Sequence, residues 1–401
     1  MSLERVHQSG QTRVESRGMP KPGDEQWRFT PVATLLDRKA KAAAERPLGE
    51  ADLAGLPLAS LDAYRLVFSN GRWLPSFSTG IPAGLKIGSV KQGAEEALLL
   101  GTEETGFGAL AAAKFEDGPY IRVAKGTKLD KPVHILYVGT ADADEDVHYR
   151  GAIVLEAGAS AVVVEEYVGR GKAALMTNTV MRAEIGDNAS LEAYALLREP
   201  DNFLGVRDFR VRVAANGRLK CHAVALGGGL MRCDANVKLD GEGAEAELNG
   251  LYVAGGKQHF DFHTSVEHAR PHGTSRELYK GVLDGQARAV FNGLIEVQPG
   301  AQKTDANVYN KNLLLSEHGL VNTKPEFKIH ANDVQCKHGA TIGQLNADAF
   351  FYLRSRGIGV AEARRLLVYA FASEMLGRMS LEPVREALSA GLQAAAGMER
   401  P

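Results

Sequence analysis

From about residue 150 to residue 255 the chain alternates short apolar, β-branched runs with turns carrying glycine or asparagine. Val154–Glu156 leads into Ala157-Gly158-Ala159-Ser160 and then Ala161–Glu165. Arg182–Ile185 leads into Gly186-Asp187-Asn188-Ala189-Ser190 and Leu191–Tyr194, and Phe209–Val213 into Ala214-Ala215-Asn216-Gly217 and Arg218–Val224. Val237–Leu239 leads into Asp240-Gly241-Glu242-Gly243-Ala244 and Glu245–Leu251. The turn glycines 158, 186, 217 and 243 stand 28, 31 and 26 positions apart. Gly and Asn tolerate φ > 0, and small neighbours avoid crowding an adjacent layer. A β-sandwich also joins short strands by glycine turns, but at intervals of about 8–12 residues. The longer interval favours a mainly β protein of stacked coils, a parallel β-helix. At about 28 residues per coil, the middle of the chain makes roughly nine rungs spaced ~4.8 Å, a rod on the order of 45 Å long.

The flanks follow a different period. Val32–Glu45 and Ala51–Tyr64 are rich in Ala and Leu at helical spacing. Asn346 is placed to cap a helix over Ala347–Arg356, which Gly357-Ile358-Gly359 ends. A second helix over Ala361–Arg378 sets Ala363, Leu366, Leu367, Ala370, Phe371 and Met375 on one side. A third, Pro383–Ala396, is alanine-rich and only weakly amphipathic. The expected layout is an N-terminal helical region (1–80), a β-helix core (81–345) and a C-terminal helical domain (346–401). An open-ended solenoid needs its terminal rungs capped, or else offers a strand edge to a partner.

Composition narrows the function. A formal net charge of −2 in 401 residues leaves no electrostatic footprint for nucleic acid or an anionic membrane. No apolar run approaches the ~20 residues that span a bilayer. The segment MSLERVHQSGQTRVESRG lacks an apolar signal core and carries Glu4 and Glu15, so a cytoplasmic location is expected. Three scattered cysteines, Cys221, Cys233 and Cys336, make neither a disulfide framework nor a CxxC pair. A metal or cluster held here must draw on histidine and carboxylate, or on a partner.

Two clusters carry candidate ligands. HFDFHTSVEHARPH holds His259, Asp261, His263, His268 and His272. On a strand the first three share a face, and imidazole with carboxylate suits Zn²⁺, Fe²⁺ or Mn²⁺. Their spacing matches no established metal motif, and a hydrogen-bonded outer face of a rung explains them as well. The second cluster, IHANDVQCKHGATI, holds His330, Asp333, Cys336 and His338. Cys336 and His338 are i, i+2 and project together from a strand, a pairing fit for iron or a nascent cluster. A buried cysteine beside a turn-capping histidine is the competing reading. Hydrolytic chemistry lacks its motifs: there is no GxSxG, no HExxH and no Walker A sequence.

The stretch Val290–Gly357 is dense with recognisable elements. They are Phe291-Asn292-Gly293, Gln302-Lys303-Thr304-Asp305, Asn312-Leu313-Leu314-Leu315, Thr323-Lys324-Pro325, His338-Gly339-Ala340-Thr341 and Phe351-Tyr352-Leu353-Arg354-Ser355-Arg356-Gly357. Together with Leu248-Asn249-Gly250, Trp27-Arg28-Phe29-Thr30 and Leu66-Val67-Phe68-Ser69-Asn70-Gly71, they resemble the SufB/SufD family of iron–sulfur assembly proteins over nearly the whole chain. The length, the Trp27 segment, Cys336-Lys337-His338 and the low cysteine count resemble its SufD side.

The resemblance implies a right-handed parallel β-helix flanked by helical domains, and a non-enzymatic scaffold role. It implies partnership with a SufB-type paralogue through the β-helix. It also implies contact with a SufC-type ABC ATPase through the C-terminal helices, where Phe351, Tyr352, Arg356 and Phe371 are the candidate contacts. His338 matches the histidine that the family places at the subunit interface where a nascent cluster assembles, and Cys336 accompanies it. No cofactor is expected to stay on the isolated chain; an iron–sulfur cluster would be transient in the complex. Alternatives are a stand-alone iron-binding protein using His259–His272 and a functional homodimer. A polysaccharide-acting β-helix enzyme is disfavoured by the 7% aromatic content and the lack of a secretion signal.

Overall fold

The computed structural model describes residues 3–78, 80–93, 95–99 and 106–396; residues 1–2, 79 and 397–401 of the expected flanking regions lie outside these. Successive strands wind alternately into two sheets. The first sheet runs through Pro119–Val123, Glu145–Leu155, Leu175–Ile185, Leu204–Val213, Leu230–Leu239, His259–His268, Arg288–Val297 and Leu320–Ile329. The second runs through Tyr64–Ser69, Val133–Ala141, Ser160–Gly171, Ser190–Leu197, Arg218–Ala225, Glu245–Ala254, Thr274–Leu283, Thr304–Leu314 and Val334–Gln344. Neighbours along each of these runs are parallel. The result is a parallel β-solenoid of about eight turns, close to the expected nine. One ladder joins Met176, Leu204, Leu230, His259, Arg288 and Leu320, in steps of 28, 26, 29, 29 and 32 residues.

At two of the turns the left-handed residue is the asparagine rather than the neighbouring glycine. Gly126, Gly158, Asn188, Asn216, Gly243, His272 and Lys303 have positive φ and stack along one corner. The N–H of each donates to a carbonyl of the following turn: Gly158 to Asp187 at 2.8 Å, Asn188 to Ala215 at 2.9 Å and His272 to Gln302 at 2.9 Å. The left-handed positions are therefore Asn188 and Asn216, not Gly186 and Gly217. Gly186 is small for another reason, since a Cβ there would sit 2.8 Å from the Ala157 amide of the rung before.

Inside, alternate residues of both sheets form one apolar core that includes stacked aromatics, with Tyr137 on Tyr167 at 4.5 Å between ring centres. The N-terminal end is covered. Strand Leu85–Ser89 pairs antiparallel with Pro119–Val123, and helices Glu4–Arg17 and Phe107–Lys114 pack against that end.

The helical reading of the N-terminal flank needs correction. Val32–Glu45 is helical only over Ala33–Leu36, because Lys41–Ala42 pairs with Glu145–Leu155 and edge hydrogen bonds outweigh helix propensity. Ala51–Tyr64 is helical only to Ala54; Gly55 and Pro57 break the pattern, and Tyr64 opens a strand.

At the other end Asn346 caps Ala347–Ser355 by accepting the Ala349 N–H at 2.8 Å. Helices Val360–Leu376 and Glu382–Ala396 lie on the outer face of the second sheet, against Leu251, Val253, Leu278, Val282 and Leu313. The helix Val360–Leu376 buries Ala363, Val368, Ala372, Met375 and Leu376, whereas Leu366 and Ala370 of the expected face are exposed. Its sequence is apolar on more than one side, so the sheet decides which stripe is covered. The last helix is more sharply sided than expected: Val384, Leu388 and Leu392 form one buried stripe at i, i+4, i+8. Among the described residues no helix is long and apolar enough to cross a membrane.

Candidate functional site

The last rung differs from all those before it. Leu320–Ile329 and Val334–Gln344 stand at the ends of their sheets, each paired along one edge only among the described residues. Their side chains are mostly half-buried or exposed, and Leu320, Ile329 and Ile342 (48% exposed) lie open. An unpaired edge with apolar side chains is a template for another chain.

Cys336 and His338 alternate on this rung. Cys336 is in register with Ala306 and His338 with Val308, both fully buried core residues, so both side chains belong to the inward-facing rows. With no further rung above them, these rows emerge at the end of the solenoid. Cys336 is half-buried against the core, and burial, with the charge of Asp305, raises its thiol pKa. His338 is exposed on one side and stacks on Phe327 of the facing strand, with ring centres 4.8 Å apart at 21°. Phe327 is a site neighbour that motif reading missed; its position follows once the rung length aligns it with Ile295. His330 and Asp333 fall in the connecting turn, where Asp333 pairs with Lys303 and its N–H donates to Gln302.

The other histidine cluster is a closed hydrogen-bonding network. His259, Asp261 and His263 do share the outer face of the first sheet, but the segment Gln26–Thr30 lies over them. Thr30 Oγ1 donates to Asp261 at 2.5 Å and lies 3.1 Å from His259 Nε2. Asp261 also meets Arg232 at 3.0 Å and His263 at 2.9 Å, and Gln26 Oε1 lies 3.2 Å from His263 Nδ1. Burial alone would raise the Asp261 carboxyl; His263 and Arg232 outweigh it and hold the pKa well below the usual range. His268 is buried against Ser275 Oγ at 2.9 Å, and His272 is a turn residue at φ 60°. Among the described residues no group of three or more His, Cys, Asp or Glu is arranged to hold a metal ion.

The four C-terminal candidates fall into two places. Phe351 (74% exposed) and Tyr352 (56%) project from a helix with no buried residue, and the Arg356 guanidinium lies 5.2 Å from the Tyr352 ring centre. Phe371 is elsewhere. The buried Lys280 ammonium sits 4.5 Å from its ring centre, donates to its carbonyl at 2.8 Å and pairs with Glu374 at 2.5 Å. Phe371 thus fastens its helix to the solenoid.

Residues 137–371 match the family model described as SUF system FeS cluster assembly, SufBD core domain. The chain belongs to the SufBD family. Among curated relatives, the iron–sulfur cluster assembly protein SufD of Escherichia coli is 31% identical over 92% of this chain and 87% of its own length. A SufBD family protein of Synechocystis is 31% identical over 90% of this chain and 84% of its own. The SufD protein of Bacillus subtilis is 30% identical over 70% of this chain and 64% of its own. These relatives are named as assembly proteins. The SufBD chain described here is accordingly an iron–sulfur cluster assembly protein of the SufD type.

Proposed function

We propose that this chain is a non-catalytic scaffold subunit whose open solenoid end joins a SufB-type paralogue, and that Cys336 and His338 supply ligands to a nascent cluster formed there. The observation that carries this reading is the last rung. Among the described residues it alone combines two unpaired strand edges, exposed apolar side chains and a soft and a borderline ligand two positions apart, in the inward rows where the solenoid ends. Two donors do not complete a cluster, so the remaining ligands come from the partner, and the isolated chain retains no cluster of its own. A second copy of the chain fits the same edge, which makes a homodimer the form expected without the paralogue.

The exposed helix Ala347–Ser355, with Phe351, Tyr352 and Arg356, is the surface proposed for a SufC-type ATPase. ATP-driven closure of that partner would act on the C-terminal helices and, through them, on the subunit interface. The stand-alone iron-binding alternative is disfavoured, since the donors of His259, Asp261 and His263 are engaged with one another and with Arg232 and Thr30.

The test is co-purification with the SufB- and SufC-type proteins of the same cell, followed by anaerobic reconstitution with iron and sulfide. A three-component complex that holds a cluster, and holds less with His338→Ala, supports the reading. A chain that stays alone and binds stoichiometric iron through His259–His272 overturns it. Phe351→Asp should weaken only the ATPase contact, whereas Phe371→Asp should also loosen the helix from the solenoid; circular dichroism and thermal melting separate the two.

A further inference from the structure

At the covered end of the solenoid, one edge of the strand Glu145–Leu155 is filled from two directions and leaves a gap between them. Lys41–Ala42 pairs with Glu145 and Asp146; the edge is taken up again at Tyr149 by Asp117 and from Ala152 by Tyr120–Val123. Beside the gap, at Val147 and His148, lies a cavity of about 240 Å³ whose apolar wall is Ala40, Ala42, Ala43 and Val147. Most polar groups around it are already engaged. The Asn70 amide donates to the Ala44 and Thr140 carbonyls at 2.8 Å each, and the Gly71 N–H to the Tyr149 hydroxyl at 2.9 Å. Asp146 is held by Arg38 at 2.7 Å and Glu116 by Arg72 at 3.2 Å.

His148 is different. It is 6% exposed, and Asn178, its register neighbour on the next rung, approaches its Nδ1 at 3.1 Å. The same Asn178 Nδ2 donates to the Phe107 carbonyl at 2.9 Å, which fixes the amide's orientation. Nδ1 of the imidazole therefore accepts, and in the neutral ring the proton sits on Nε2. Burial, reinforced by the Lys114 charge, lowers the pKa to about 3 and keeps the ring neutral. Among the described residues Nε2 has no hydrogen-bond partner, and a buried donor left unmet is costly. Lys41 and Lys114 also line the cavity, and among the described residues neither is in an ion pair. Glu145 lies beside Lys41 in the ladder and offsets it, so Lys114 carries the one uncompensated charge.

We propose that this cavity binds a small monocarboxylate, which accepts a hydrogen bond from His148 Nε2–H, pairs with the Lys114 ammonium and lays a short apolar chain against Ala42, Ala43 and Val147. Size and charge choose this class. The volume falls below the roughly 300–1,000 Å³ of sites for drug-sized molecules, and a single uncompensated cation suits a monoanion better than a doubly charged phosphate or sulfate. Both bonds to a carboxylate are charge-assisted. The ligand would join the Lys41–Ala42 strand, the helix Phe107–Lys114 and the strand Glu145–Leu155, so binding stabilises the covered end by mass action. Cys336 and His338 lie at the opposite end, and the site is independent of the scaffold reading.

Calorimetric titration of the full chain with sodium butyrate, at an ionic strength held constant with sodium chloride, tests the assignment. Saturable one-to-one binding is expected, with a matching rise in melting temperature. Lys114 is exposed, so Lys114→Met leaves the core untouched; it should weaken butyrate binding roughly ten-fold. His148→Phe should abolish binding, and His148→Gln, which keeps an N–H donor, should retain part of it. Melts of each variant in chloride alone show that it folds. Sodium sulfate should bind more weakly than butyrate. The proposal is overturned by butyrate heats no different from those of chloride, by binding that survives both Lys114→Met and His148→Phe, or by sulfate binding more tightly than butyrate.

Discussion

Two clusters in this molecule place metal-type donors at the same strand spacing, imidazole and carboxylate in one and thiol and imidazole in the other, and they meet opposite fates. His259, Asp261 and His263 lie mid-solenoid beneath the Gln26–Thr30 segment, where each carboxylate and imidazole finds a partner within the protein. Cys336 and His338 occupy the last rung, and their neighbours are core residues on one side and the open end on the other. Alternation on a strand brings donors to one face in both cases. What separates a structural network from a candidate ligand pair is whether the next layer of the protein has already used the lone pairs. Buried polar groups are satisfied in stable folds, so the mid-solenoid cluster reads as structural, and the pair at the edge is the one proposed as ligands.

The sharpest way to break this comparison is Asp261→Ala. The Arg232 side chain, 4% exposed, would lose one of its carboxylates, and His263 and Thr30 would lose theirs. Removing one partner of a buried ion pair costs about 3–5 kcal/mol, read from urea unfolding. The Asp261 carboxyl is held below its unfolded value, so its stabilisation is present above about pH 4 and lost as the pH falls toward its native pKa. Asp261→Asn should therefore lose less stability on acidification than the parent. If Asp261→Ala melts like the parent but abolishes cluster loading, the first cluster is functional and the comparison fails.

A smaller effect is expected at His268. Its imidazole is buried against Ser275, and burial lowers its pKa to about 4, with Asp305 opposing. His268→Ala should cost about 1–3 kcal/mol through the lost packing and the stranded hydroxyl. A depressed histidine pKa means the unfolded chain binds the extra proton first. Stability from this residue is complete above about pH 6.5 and declines as the pH drops toward 4. Thermal melts across that window should show a shallower slope in His268→Ala.

The sequence exposed these differences unevenly. The solenoid was legible because its turns demand left-handed or small residues once per coil, and a spacing of 26–31 is hard to produce otherwise. Which residue takes the left-handed position was not: Asn188 and Gly186 sit two apart, and only the stacked N–H to C=O bonds single out the asparagine. The paired donors Cys336 and His338 were visible from alternation and family motifs. Phe327 was not, since its ring meets His338, eleven positions further on, only through how the two facing strands of the last rung are set against each other. The covering of His259 by Thr30 was equally hidden, because that contact spans 229 positions. The N-terminal helices were overread for the same reason: local propensity in Val32–Glu45 yields to a sheet edge that the segment itself does not encode.

The two smallest stability effects separate the clusters most cleanly. His272 sits at φ 60° in the stacked corner, so His272→Gly should stabilise the chain by about 0.5–1 kcal/mol and leave cluster loading alone. His338→Ala removes only an exposed imidazole stacked on Phe327 and should change unfolding free energy by no more than about 0.5 kcal/mol. Its effect belongs to a different measurement, the iron and sulfide retained by the complex after anaerobic reconstitution, which should fall while assembly with the partner subunits is unchanged. A residue whose loss is nearly silent in folding but costly in loading is doing work for a ligand. If His338→Ala instead prevents assembly, its stacking with Phe327 shapes the edge that the partner strand meets, and the ligand role passes to Cys336 alone.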